Sequence, residues 1–215
     1  GTDRKLYIFS EGKVYDITPI RATDSLTNPF ATSSGSATVT VTDAGHQAEV
    51  GAFVTFDNGS ATNVVDGIDF NNEFEIITVP SSNTYTINAG TNASGTTAAG
   101  GGSTDASYQI NPGPTSSTYG YGWGTETWSA STWDTPRSSS NVVVAGRNWS
   151  LDNFGEDLIA TVLDGGTFIW DTSGGLGARA TALSNAPTAS RFSLVSTDTR
   201  HLLIFGTETI IGNPN

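Results

Sequence analysis

Ser36-Ala-Thr-Val-Thr-Val-Thr42 alternates valine with threonine, so a chain extended through it turns an apolar face one way and a hydroxylic face the other. Period two is the mark of a half-buried strand, and β-branched residues favour that conformation. Outward from this stretch, Ala52-Phe-Val-Thr-Phe56, Glu73-Phe-Glu-Ile-Ile-Thr-Val79 and Thr84-Tyr-Thr-Ile87 have the same character. Strands packed this densely predict a small β-barrel or sandwich over residues 31–88.

On either side the sequence reads as serial hairpins. Lys5-Leu-Tyr-Ile-Phe-Ser10 and Lys13-Val-Tyr-Asp-Ile17 flank a turn at Glu11-Gly12. Glu156-Asp-Leu-Ile-Ala-Thr-Val-Leu163 and Gly166-Thr-Phe-Ile-Trp-Asp171 flank Asp164-Gly165, a strong hairpin signal because both central residues accept positive φ. Arg191-Phe-Ser-Leu-Val195 and His201-Leu-Leu-Ile-Phe205 form a third pair. No segment carries a helical stripe. The expected fold is all-β: a body of propeller-like hairpins over 1–30 and 106–215, with the 31–88 barrel inserted. Residues 89–105, almost wholly Gly, Ala, Thr and Ser, read as a flexible linker because they offer little apolar surface.

Composition supports strands and turns over helices. The chain has 25 Gly, 10% aromatic and only 14% charged residues among its 215. Its formal net charge of -12 repels a phosphate backbone, which argues against sequence-specific binding of nucleic acid; an acidic lining would instead let DNA pass without sticking. Without cysteine there are neither disulfides nor thiolate metal sites. No apolar run approaches the roughly 20 residues of a membrane-spanning helix. The chain contains no Met, so either an initiator was clipped before Gly1 or this is a segment of a longer chain; Gly206-Thr-Glu-Thr-Ile-Ile-Gly-Asn-Pro-Asn215, which stops at a turn signal just after a strand-like run, favours the segment as the expectation.

Residue patterns that could carry chemistry are weak. His46 and His201 have no partner at metal-ligand spacing and read as surface or packing residues. Asp66-Gly-Ile-Asp-Phe-Asn-Asn-Glu73 gathers oxygen ligands of the kind calcium takes, but without the spacing of an EF-hand, and reads as a polar turn. Glu126 with Asp134, and Asp152 with Glu156 and Asp157, are acid pairs that nothing in the sequence places across a sugar. No catalytic, metal or cofactor residue is assigned. Tyr119, Tyr121, Trp123, Trp128 and Trp133 lie in a Gly-rich stretch whose five-residue Trp spacing fits neither strand nor helix. They are candidates for core filling or subunit contact, or for stacking on sugar rings.

Two sets of motifs resemble known proteins. Thr40-Val-Thr-Asp-Ala-Gly-His46, Val50-Gly-Ala-Phe-Val-Thr-Phe56, Asn72-Glu-Phe-Glu-Ile-Ile-Thr-Val79 and Asn83-Thr-Tyr-Thr-Ile87 resemble a small β-barrel insert that recurs in phage structural proteins. Here Gly45-His46 reverses the usual dipeptide, Ala52 replaces an Asp and Glu73 replaces a Gly. The flanks Tyr15-Asp-Ile-Thr-Pro-Ile-Arg21, Gly120-Tyr-Gly-Trp-Gly124, Trp149-Ser-Leu-Asp-Asn-Phe-Gly-Glu-Asp-Leu-Ile-Ala160 and Thr199-Arg-His-Leu-Leu-Ile-Phe-Gly206 resemble large tail proteins of tailed bacteriophages, of a nozzle or tail-tube type bearing a β-propeller. That resemblance implies a virion component without enzymatic residues, in contact with other tail proteins and with copies of itself. By analogy with short-tailed phage nozzles it implies a ring, as a hexamer, around the DNA path. The alternative expectation is a carbohydrate-binding adhesin module at the tail tip that uses the Tyr and Trp residues of 119–133.

Overall fold

The computed structural model describes residues 5–46, 48–60, 62–110 and 148–207. The chain is all-β. Among the described residues the one helical element is a 3-10 turn at Thr172–Gly174, and no helix is long and apolar enough to cross a membrane. Two compact units interleave in sequence: Thr18–Asn111 with Arg179–Ala182, and Gly1–Ile17 with Pro112–Ala178 and Leu183–Asn215.

The chain opens with the expected hairpin, β1 (Tyr7–Ser10) and β2 (Lys13–Asp16). Ser10 pairs with Lys13 across a two-residue turn in which Glu11 and Gly12 take φ of 51° and 76°. Positive φ at both positions matches the right-handed twist of the arms, and Gly12 adopts it without steric cost.

The unit built on Thr18–Asn111 is a barrel. Its strands are β3 (Ile20–Thr27), β4 (Phe30–Thr32), β5 (Thr38–Thr42), β6 (Phe53–Asp57), β7 (Val64–Val65), β8 (Ile68–Asp69), β9 (Glu73–Ser81), β10 (Thr84–Asn88), β11 (Thr97–Gly100) and β12 (Ser103–Gln109). Eight of them form one sheet in the order β11-β4-β5-β10-β9-β6-β12-β3, while β7 and β8 make a separate hairpin. The sheet closes on itself because its two ends are the same two runs of chain. β3 continues into β4 through Asn28-Pro29, and β11 continues into β12 through Gly101-Gly102. Across that joint Asn28 N–H donates to Gly102 O at 2.7 Å, and Gly102 N–H donates to Asn28 Oδ1 at 3.0 Å. Closure removes most of the open edge that a sheet of this length would otherwise present.

Residues 89–105 therefore are not a flexible linker. Thr97–Gly100 pairs with β4, and Ser103–Gln109 pairs with both β3 and β6. Ladder hydrogen bonds hold this run in place of apolar side chains, and its glycines admit a ring. A Cβ on Gly101, whose φ is 101°, would lie 2.4 Å from Cδ2 of Phe30. Phe30 is fully buried, stacked on Phe70 at 3.8 Å between centroids and edge-on to Phe56 at 4.9 Å. Val39, Val41, Val54, Ile76, Tyr85, Ile87 and Tyr108 complete the centre of the core. The alternation in Thr38–Thr42 is realised as read, with Val39 and Val41 buried. The barrel unit also exceeds the expected 31–88 span at both ends, and takes in Arg179–Ala182: Ile20 N–H donates to Ala180 O at 3.3 Å.

The other unit continues with β13 (Trp149–Phe154), β14 (Asp157–Val162) and β15 (Thr167–Trp170), successive antiparallel neighbours. Gly155, at φ 79°, turns β13 into β14. At the next turn Asp164 takes positive φ (55°) and Gly165 does not; Val162 N–H donates to Gly166 O at 3.2 Å, which closes a longer loop than a two-residue turn. After β16 (Thr181–Ala182), which belongs to the barrel unit, β17 (Phe192–Val195) and β18 (Leu202–Phe205) form the last hairpin. Hydroxyls fasten β17 to β13 and β14. Ser150 Oγ donates to Ser193 O at 2.7 Å, Thr161 Oγ1 donates to Ser193 Oγ at 2.7 Å, and Val195 N–H donates to Asp152 Oδ2 at 2.7 Å.

Candidate functional site

The strongest concentration of buried polar chemistry lies inside the barrel. Asp43 directly follows β5 and shares the inward phase of Val39 and Val41, so the strand that buries the valines also buries the carboxyl, which is 2% exposed. Tyr85 enters from β10 and Tyr108 from β12, both buried. The two phenol oxygens lie 2.9 Å apart, and Tyr108 O–H donates to Asp43 Oδ2. A phenol carries one proton, so the chain of donors runs from Tyr85 to Tyr108 to Asp43. His46 covers Tyr85 edge-on at 5.1 Å between centroids. Its Nδ1 accepts from Ala48 N–H at 3.1 Å while its Nε2 lies 3.0 Å from Ser81 O, an arrangement suited to the neutral imidazole with its proton on Nε2.

Burial pushes the Asp43 carboxyl above the usual carboxylate range; the hydrogen bond from Tyr108 opposes this, and the nearby Asp24 carboxylate adds to it. Burial likewise raises both phenols above their usual range, so Tyr85 and Tyr108 are neutral donors. Such a cluster fixes its side chains through mutual hydrogen bonds. Sequence reading missed it, although the parity of Val39, Val41 and Asp43 was available as a signal.

The oxygen-rich stretch 66–73 is tied up in local structure. Asp66-Gly67 forms the turn of the β7–β8 hairpin, with φ of 49° and 82°. Asp66 Oδ2 accepts from Thr32 Oγ1 at 2.5 Å, and this bond, with one from Thr97, holds the carboxyl below its usual range. Asp69 Oδ1 accepts from Asn63 N–H at 3.1 Å and from Asn71 N–H at 3.0 Å. Asp69, Asn72 and Glu73 also border an open cavity of about 400 Å³. Among the described residues no group of three or more His, Asp or Glu is placed to hold a metal ion.

Asp152 and Asp157 are structural acceptors as well. Asp157 Oδ1 receives Thr172 N–H at 3.0 Å and the Thr172 hydroxyl at 3.2 Å, while Asp152 receives β17 as described above. His201 is exposed, its Nδ1 2.7 Å from Thr199 Oγ1. Tyr119, Tyr121, Trp123, Trp128 and Trp133, together with Glu126 and Asp134, lie outside the described residues.

Comparison with protein-family models finds no match, and comparison with curated proteins finds none either. Among solved structures the chain is similar to the phage phi92 endosialidase, at 14% identity and a TM-score of 0.36. The likeness covers 97% of this chain and 33% of that one, so the chain spans about a third of that protein's length.

Proposed function

We propose that this chain is a structural component of a phage virion, part of a tail assembly of the nozzle or tail-tube type around the DNA path. One observation carries the reading. The four sequence blocks that resemble the phage β-barrel insert fall on β5, β6, β9 and β10, and these strands are consecutive neighbours, β5-β10-β9-β6, in one closed barrel. In this reading the hairpins of the other unit belong to a propeller-like body, and the acidic surface keeps passing DNA from adhering. The work of the chain is mechanical: it holds neighbours in a ring and turns over no substrate.

Apolar surface suited to neighbouring subunits supports the same reading. Phe192 and Phe205 face each other across the β17–β18 ladder, 6.0 Å between centroids and each 48% exposed, with Leu203 on the same face at 45%. Exposed apolar clusters of this kind mark contact sites. Imaging intact virions at side-chain resolution tests the proposal. It predicts the barrel and its flanking hairpins as repeated density in the tail; tail density into which this chain cannot be built would overturn it.

A further inference from the structure

The two outer edges of the β17–β18 hairpin are treated differently. Ser196 N–H donates to His201 O at 2.8 Å, and the register continues from Val195 opposite Leu202 to Phe192 opposite Phe205. Bonded and non-bonded pairs alternate in an antiparallel ladder, so Ser193, Val195, Leu202 and Ile204 turn their backbone groups away from the hairpin. On the β17 side these groups are met. Ser193 N–H lies 3.4 Å from Ser150 Oγ, and Val195 N–H donates to Asp152 Oδ2 at 2.7 Å. On the β18 side, among the described residues, no strand and no side-chain hydrogen bond meets Leu202 or Ile204.

The residues of β18 leave that edge unprotected. His201-Leu-Leu-Ile-Phe-Gly206 carries no lysine, acid or proline, the residues by which sheet edges are ordinarily blunted. Leu203 and Phe205 are exposed on one face, so apolar surface adjoins the open backbone. The run is also close to symmetric about Leu203, with Leu202 and Ile204 alike in size on either side. A partner fits this edge when its own outward groups stand two residues apart along an uncharged strand. A second β18 meets that condition.

We propose that two copies of this chain join edge to edge through β18, antiparallel across a two-fold axis at Leu203. Leu202 of one copy lies opposite Ile204 of the other, and each such pair exchanges two N–H···O bonds, so the two hairpins become one four-stranded sheet. Leu203 falls on the axis and meets its own counterpart in a non-bonded pair, the closer kind, which packs two exposed leucines together. No acid stands on either strand, so the net charge of -12 per chain places no like pair within the ladder. Two short strands bury less than the roughly 800 Å² per partner of a standard interface, and a weak, reversible dimer is expected. This contact does not rest on the virion reading, since it pairs copies in solution whatever larger assembly holds them.

Sedimentation equilibrium of the 215-residue chain from micromolar to millimolar concentration tests the contact, with Leu203→Lys and Leu203→Glu as probes. The unmutated chain is expected to dimerise reversibly. Each variant alone is expected to associate more weakly by at least about tenfold, because like charges replace the apolar pair on the axis. An equimolar mixture of the two variants is expected to regain pairing, since a residue on a two-fold axis meets its own counterpart. Leu203 is 45% exposed, so both variants are expected to keep the fold. Should either unfold, the amides of Leu202 and Ile204 in the unmutated chain decide, being protected from exchange at high concentration and unprotected at low. A chain that stays monomeric at millimolar concentration would overturn the proposal, as it would if the edge served a strand of another protein. So would a dimer that Leu203→Lys leaves intact, or variants whose mixture stays apart.

Discussion

The two units use different means to hold strands together. In the barrel, closure places Phe30, Phe56, Phe70, Tyr85 and Tyr108 in one continuous core, and six of the eight strands of its main sheet have a ladder on both sides. In the hairpin unit, β17 is fastened to β13 and β14 largely through hydroxyls and one carboxylate, while Phe9, Val14, Phe192 and Phe205 remain exposed. The barrel buries Phe30, Phe56, Phe70 and Phe74 and leaves Val50, Val64 and Ile77 exposed, whereas the hairpins turn the rings of Phe9, Phe192 and Phe205 outward. A unit of the first kind resists substitution through packing; the second kind leaves surface for partners.

The largest effect is expected at Phe30. Phe30→Ala removes a fully buried ring stacked on Phe70 and is expected to cost about 3–5 kcal/mol, read as a fall in the denaturant midpoint of the barrel transition. Gly101→Val approaches the same contact from the other side. It forces a side chain into the Phe30 ring at a φ that L-residues rarely adopt, with an expected loss of about 2–3 kcal/mol or more by the same measurement.

In the hairpin unit the larger effect is expected at Thr161, whose hydroxyl donates to Ser193 and lies 3.0 Å from Thr167 Oγ1. Thr161→Val keeps the shape and removes the hydroxyl, at a cost of about 1–3 kcal/mol because buried partners lose their bond. Native-state hydrogen exchange would localise that loss to β14 and β17. Phe192→Ser is the smallest, within about 0.5 kcal/mol for the isolated chain because the ring is half exposed. Its effect is expected instead on association, measured by light scattering. A loss of stability at Phe192 as large as that at Phe30 would erase the distinction between the two units.

How much of this was legible in the sequence depended on how local the cause was. Val39 and Val41 declared their strand through alternation, and Glu11-Gly12 declared its turn through residue type. Asp66-Gly67 read as a polar turn and is the turn of the β7–β8 hairpin. Thr97–Gly100 and Ser103–Gln109 were illegible because what makes them strands is distant: ladders to β3, β4 and β6, and the Phe30 ring lying over Gly101. The same holds for Asp43. Its inward phase is written in the sequence, yet the proximity of Tyr85 and Tyr108 exists only once the barrel has closed.

Closure of the barrel by the Gly- and Thr-rich run is thus the claim on which the rest stands, and amide hydrogen exchange across 97–109 tests it most directly. Amides of Thr97–Gly100 and Ser103–Gln109 that pair in the ladders are predicted to show protection comparable with those of β9 and β10. Exchange there at the rate of an unstructured chain, with β9 and β10 still protected, would contradict it.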